Sequence, residues 1–224
     1  MRGMYTAPEV LDRHLTFLER CGFTTCDFSD LSRALRGERA LPKRPVLLTF
    51  DDGHLDNYTE GLPVLQAHGA KATVFVVVGD VGARGVVWPD ASETTPTDLF
   101  DWDQAARLQR SGVRIEAHGL GHSRMDALPP EELERQLAEC RRVIHERLGH
   151  ESLAMAYPFG VWNRDCAAAA RGAGFEFACT THSGMANLER DELLALPRLS
   201  VRGYRWVHEL QFRLAVMKAR ARQR

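Results

Sequence analysis

At 224 residues, 44% hydrophobic and 26% charged, the chain has the balance of a globular protein able to bury a sizeable core, and its composition does not indicate disorder. A formal net charge of −1 removes any overall attraction to nucleic acid or acidic membrane surfaces. No run approaches about 18 apolar residues, and Met1-Arg-Gly-Met-Tyr-Thr-Ala-Pro8 has no apolar signal core, so no transmembrane segment and a cytoplasmic location are expected of the sequence as written.

Barrels of alternating strands and helices commonly fold as one unit at about 200–250 residues, so a single domain over 1–224 is expected. Residues 215–224 end it as a basic tail, read as a solvated helix terminus. The five cysteines are odd in number and form no Cys-x-x-Cys pair, which predicts reduced packing residues rather than disulfides or a zinc ribbon.

In chain order, Pro8 to Arg20 carries Val10, Leu11, Leu15, Phe17 and Leu18 near one helical stripe, with Cys21-Gly22 as its stop. A strand or short helix pair follows to Arg36. Val46 to Phe50 is a short β-favouring run closed by Asp51-Asp-Gly53, the profile of a buried strand ending in a turn. Further strands are predicted at Ala72–Val78, Val113–Ala117, Leu153–Tyr157, Phe175–Cys179 and Leu196–Val201. Helices are predicted at about Tyr58–His68, Asp103–Ser111, Pro130–Leu148 and Arg164–Arg171, with stops at Gly69, Gly112, Gly149 and Gly172. The alternation implies a parallel sheet or barrel. Gly79 to Leu99 has little periodicity and reads as a long loop, able to roof a site.

Four segments carry chemistry. Asp51 and Asp52 fall at a strand end, where the turn at Gly53 can aim both carboxylates at one pocket, one to bind a metal and one to take a proton from water. Alone, Asp-Asp-Gly is equally a surface turn. His118-Gly-Leu-Gly-His122 follows a predicted strand and offers two imidazoles at a spacing that lets one segment supply two metal ligands. Beyond Pro158, which has no N–H, Phe159 offers the first backbone amide, placed to stabilise an oxyanion. Arg198 in Leu196-Pro-Arg198 can pair with an active-site carboxylate or form a surface ion pair.

In this order, Thr49-Phe-Asp-Asp-Gly53, His118 through His122, Tyr157-Pro-Phe-Gly160 and Leu196-Pro-Arg198 resemble the motif series of the polysaccharide deacetylase (NodB-homology, carbohydrate esterase 4) family, in its Tyr-Pro-aromatic-Gly subgroup. The resemblance implies an α/β fold, a distorted (β/α) barrel of about seven strands with its site at the strand C-terminal ends. By that carry-over Asp51 is the general base, and Asp52, His118 and His122 bind a divalent metal, zinc first, with cobalt or nickel as alternatives. The Phe159 N–H completes the oxyanion site. The substrate is then an acetylated sugar or glycan, N-acetyl before O-acetyl, with Tyr157, Pro158, Trp162 and Trp88 as substrate-binding candidates.

Three departures shape the reading. Ala156 stands where many members carry an arginine facing the catalytic aspartate, and Arg198 is the candidate substitute. Gly119 replaces the usual Ser or Thr. Neither general-acid motif of the family is visible, which makes His182 the replacement candidate and places the family's first strand ahead of Met1, outside the sequence as given. The alternatives are an amidohydrolase of the same fold acting on a non-sugar amide, favoured by a closed pocket, and a catalytically silent metal-binding relative.

Overall fold

In a computed structural model of the chain, residues 6–88 and 95–201 are described; the basic tail at 215–224 lies outside them. Helix α1 (Pro8–Arg20) leads to strand β1 (Thr24–Cys26) and helix α2 (Phe28–Leu35), so the segment before Arg36 is one strand and one helix. Asp27 caps α2 by accepting from the Ser29 and Asp30 amides, while Asp30 accepts from the Asp27 amide.

The run predicted as one strand over Val46–Phe50 divides. Strand β2 (Pro45–Leu47) pairs with β1 in a two-stranded parallel sheet, and β3 (Thr49–Phe50) joins a different sheet. That second sheet continues through β4 (Ala72–Val76), β5 (Val113–Ala117), β6 (Ala154–Ala156), β7 (Phe177–Ser183) and β8 (Leu196–Arg198), six parallel strands in chain order. The sheet curls into a half-barrel, six strands where about seven were expected, with the β1–β2 pair beside it.

Strand alternation sorts side chains between two cores. On the helix-covered face, Val74 and Val76 of β4, Met155 of β6 and Ala178 of β7 join Leu108, Leu137 and Ile144 from helices α4 (Trp102–Arg110) and α5 (Pro130–Leu148) and Ala170 from α6 (Arg164–Ala173). On the other face, Phe75, Ala154, Ala156, Phe177 and Cys179 meet Phe28 and Leu31 of α2. The Phe28 ring lies 5.8 Å from Phe75 and 5.5 Å from Phe177, and Ser32 donates to Glu176 at 2.6 Å just before β7. Helix α2 therefore fills the sheet's second face near the N-terminal end of β7, which leaves the C-terminal ends for the site.

Local chemistry explains where elements depart from expectation. The predicted helix Tyr58–His68 opens as a π-turn (Asn57–Gly61), in which the Leu62 N–H reaches back to Asn57, before α3 (Leu62–Ala67). Pro63 has no N–H to continue the i→i−4 ladder, and the wider turn accommodates that gap. Helix α6 runs through Gly172 and stops at Gly174, which takes the left-handed φ of 94°. Strand β7 runs past Cys179 to Ser183, and four of the five cysteines are buried and unpaired. Among the described residues no helix is long and apolar enough to cross a membrane.

Candidate active site

The C-terminal ends of β3, β5, β6 and β8 converge. Asp51 and Asp52 follow β3, His118 follows β5, Tyr157-Pro158-Phe159 follow β6, and Arg198 ends β8. Among the described residues, the non-glycine positions with positive φ are Asp52 (74°), His122 (48°) and Phe159 (61°). Each such conformation costs on the order of 1–3 kcal/mol and persists only where surrounding contacts impose it. All three fall in this one site. The left-handed turn at Asp52 lets consecutive carboxylates approach different partners instead of splaying across a strand.

Asp52 is the hub. Its Oδ1 lies 3.2 Å from His118 Nε2 and 3.4 Å from His122 Nε2, and one ligand atom from each of these three residues lies within 4.8 Å of the others. Burial pushes the Asp52 carboxyl up, but the His118, His122 and His54 imidazoles outweigh it and hold the group far below the usual carboxylate range. His118 Nδ1 sits 2.8 Å from the Ala156 carbonyl. A carbonyl only accepts, so Nδ1 carries a proton and Nε2 is the ring atom available to a cation beside Asp52.

His122 is held differently. Its Nδ1 is buried without a hydrogen bond, and the ring is fixed by aromatic neighbours, stacked on Trp88 at 4.5 Å and meeting Phe159 edge-on at 4.7 Å. One half-buried carboxylate and two buried imidazoles, already oriented, fit a divalent cation such as zinc.

Asp51 turns the other way. Arg198 donates Nη1 to Asp51 Oδ1 and Nη2 to Oδ2, both at 2.7 Å, and also reaches Thr49 Oγ1 at 3.1 Å and the Thr180 carbonyl at 3.0 Å. Burial alone raises the Asp51 carboxyl, yet the Arg198 charge and its hydrogen bonds bring it below its ordinary value. The two alternatives open for Arg198 in the sequence therefore resolve to the carboxylate.

The remaining candidates are placed unevenly. Tyr157 is buried, its hydroxyl donating to the Leu194 carbonyl at 2.9 Å, so its ring lies in the core. Pro158 is buried, and Trp162 is partly exposed and stacks on Tyr157 at 6.1 Å. Trp88 packs against His122, its indole N–H donating to Asp80 at 2.7 Å. His182 is exposed near the end of β7, and none of the contacts described joins its ring to the cluster. His54 was missed by the sequence reading: its Nε2 lies 3.3 Å from Asp52 Oδ2. A lone histidine after the Asp-Asp-Gly turn has no ligand spacing to mark it, and adjacency to the turn was the only signal.

The sequence profile of the polysaccharide deacetylase family matches residues 38–178. YxkH of Bacillus subtilis, named for the same family, is 26% identical over 190 residues, which cover 85% of this chain and 63% of that protein. The poly-β-1,6-N-acetyl-D-glucosamine N-deacetylase of Escherichia coli is 24% identical over 265 residues, covering 100% of this chain and 37% of that one. The chain thus spans less than two thirds of the length of either relative. Among solved structures, a Streptococcus pyogenes deacetylase in complex with acetate superposes with a TM-score of 0.79 at 23% identity, covering 92% of this chain and 86% of the other. The BpsB deacetylase domain of Bordetella bronchiseptica reaches 0.73 at 25% identity, covering 88% and 85%. With its profile matched over more than half its length and its strand-end motifs gathered into one cluster, the chain belongs to the polysaccharide deacetylase family.

Proposed function

We propose that this protein is a divalent-metal-dependent hydrolase that removes an acetyl group, N-acetyl in preference to O-acetyl, from a glycan or glycoside. The observation that carries the proposal is the Asp52–His118–His122 cluster, its two imidazoles buried, standing beside an Asp51 carboxylate that takes no part in it and is held by Arg198. A water-activating hydrolase needs this division between a ligand carboxylate and a free base. The N-acetyl preference is supported by kinship with the Escherichia coli N-deacetylase.

Asp52, His118 and His122 would hold the ion, for which zinc suits the mixed imidazole and carboxylate donors. When bound, it supplies Lewis acidity that polarises the acetyl carbonyl and acidifies water. Asp51 accepts the proton of the attacking water. Arg198 occupies one lone pair on each Asp51 oxygen, which fixes the carboxylate plane and leaves further lone pairs for that water. The Phe159 amide is assigned to the oxyanion, in keeping with the left-handed turn that presents it after Pro158. For the proton on the leaving amine we assign Asp51, protonated by the attack, because His182 stands exposed and, among the described residues, no contact joins its ring to the cluster. Trp162 is the aromatic wall we assign to the sugar; Tyr157 supports it from beneath and Trp88 supports His122.

The test is acetate release from N-acetylglucosamine oligomers against O-acetylated glycosides of equal length. Faster release from the N-acetyl series supports the reading. Release confined to non-sugar amides would move the chemistry to an amidohydrolase of this fold.

A further inference from the structure

A third imidazole touches the hub of the cluster from outside. The two oxygens of Asp52 have different neighbours: Oδ1 faces His118 and His122, whereas Oδ2 lies 3.3 Å from His54 Nε2. The other ring nitrogen of His54, Nδ1, sits 2.8 Å from Thr97 Oγ1. A neutral imidazole has one N–H and one acceptor nitrogen, and a carboxylate only accepts. With the Thr97 hydroxyl donating to Nδ1, Nε2 carries the proton and faces Asp52 Oδ2, and His54 lies outside the trio whose ligand atoms come within 4.8 Å of one another. In that tautomer His54 offers no lone pair toward the cluster, which sets it apart from the three candidate ligands.

We propose that His54, its tautomer fixed by Thr97, is a positioning residue: it pins Asp52 Oδ2 so that Oδ1 is presented, with the two imidazoles, as a preformed cation site. This inference rests on the metal-dependent reading above. Its physical basis is that Asp52 sits at φ 74°, a conformation that relaxes unless its side chain is anchored. The anchor is itself built in. Thr97 exchanges backbone hydrogen bonds with Val86 at 2.7 and 3.0 Å, His54 pairs with Leu99 in an antiparallel bridge, and the Leu55 N–H donates to Asp98 at 2.8 Å. The same segment supplies Trp88, stacked on His122. The segment read as a long loop able to roof a site thus meets two candidate ligands, Asp52 through Thr97 and His54, and His122 through Trp88.

The experiment strips the purified protein with a chelator and measures zinc affinity by competition with a chromophoric chelator, with the melting temperature of the stripped protein taken alongside. Outer hydrogen-bond partners of metal ligands contribute about 10–100-fold to affinity. His54→Leu is expected to weaken zinc by that factor and Thr97→Val by a smaller one, with the melting temperature of the stripped protein unchanged. The double variant should bind no more weakly than His54→Leu alone, because both act through one contact. His54→Gln, whose amide can still donate to Oδ2, and Thr97→Ser should recover most of the loss. Wild-type affinity in His54→Leu overturns the inference alone, as does an equal loss in the Leu and Gln variants. A wild-type protein that binds no zinc overturns the metal-dependent reading and takes this inference with it.

Discussion

Arg198 and Asp51, 147 residues apart in sequence, are joined by two parallel hydrogen bonds of 2.7 Å across the open side of the half-barrel. Asp51 follows the first strand of the six-stranded sheet and Arg198 ends the last. These strands share no backbone ladder, so side chains make the closure that backbone pairing does not. The contact serves both the fold and the proposed chemistry.

Replacing Arg198 should therefore affect both. Arg198→Ala is expected to lower kcat about 10²-fold by letting the base carboxylate drift, and to destabilise the protein by about 1–3 kcal/mol, between an exposed and a buried ion pair. Arg198→Lys keeps the charge but loses the planar fork, so it should fall between. Steady-state kinetics with urea denaturation reads both effects, and unchanged kcat in Arg198→Ala would remove the residue from the mechanism.

Gly160 has no room for a side chain. A Cβ there would come within 2.5 Å of the Thr181 amide nitrogen and closer still to the Thr181 side chain, on a backbone at φ 70°. Gly160→Ala should cost about 2–4 kcal/mol from the left-handed backbone and the overpacking together. It should also shift Phe159 and lower kcat. A denaturation midpoint equal to wild type would contradict this packing.

Much of this was legible in the sequence because the signals were local. Val113–Ala117 is a strand with the limits its pattern gives, and Pro130–Leu148 is a helix likewise. The two carboxylates and two histidines announced themselves by spacing at strand ends, and Arg198 by its place in a motif. What was not legible depended on partners distant in sequence. Nothing in Val46–Phe50 marks the change of sheet at Leu48, which is set by β1 on one side and β4 on the other. Trp88 reads as a sugar platform until His122 is seen beneath it, and Tyr157 as a ligand contact until its hydroxyl is traced to Leu194. His54 was silent because its meaning comes from Asp52 and Thr97 together.

Cation binding should register as stability. At a free zinc concentration about 100 times Kd, the stripped protein should gain about 2.7 kcal/mol, or about 5–10 °C in Tm for a chain of this size. His118→Ala should show no such gain. An equal rise in wild type and His118→Ala would mean that zinc binds elsewhere.

Away from the site, His68 ties α3 to α1, with Nε2 2.9 Å from Asp12 and Nδ1 2.8 Å from Glu19. The Asp12 contact raises its pKa, burial opposes, and Glu19 adds to the rise. The stabilisation is therefore full below the unfolded value of about 6.5 and is lost as pH climbs through the higher folded value. His68→Gln should lower Tm more at pH 6 than at pH 9, by no more than about 2–4 °C for a pair whose carboxylates are exposed. Equal losses at both pH values would contradict the ion-pair assignment.

Metal dependence and deacetylation are tested together by measuring metal content and acetate release, on N-acetylglucosamine oligomers and small acetylated glycosides, for wild type, Asp51→Asn and His118→Ala. Near-stoichiometric metal is expected in wild type and Asp51→Asn, with its loss in His118→Ala and no acetate release from either variant. Acetate release by metal-free protein, or at the wild-type rate by Asp51→Asn, would contradict this expectation.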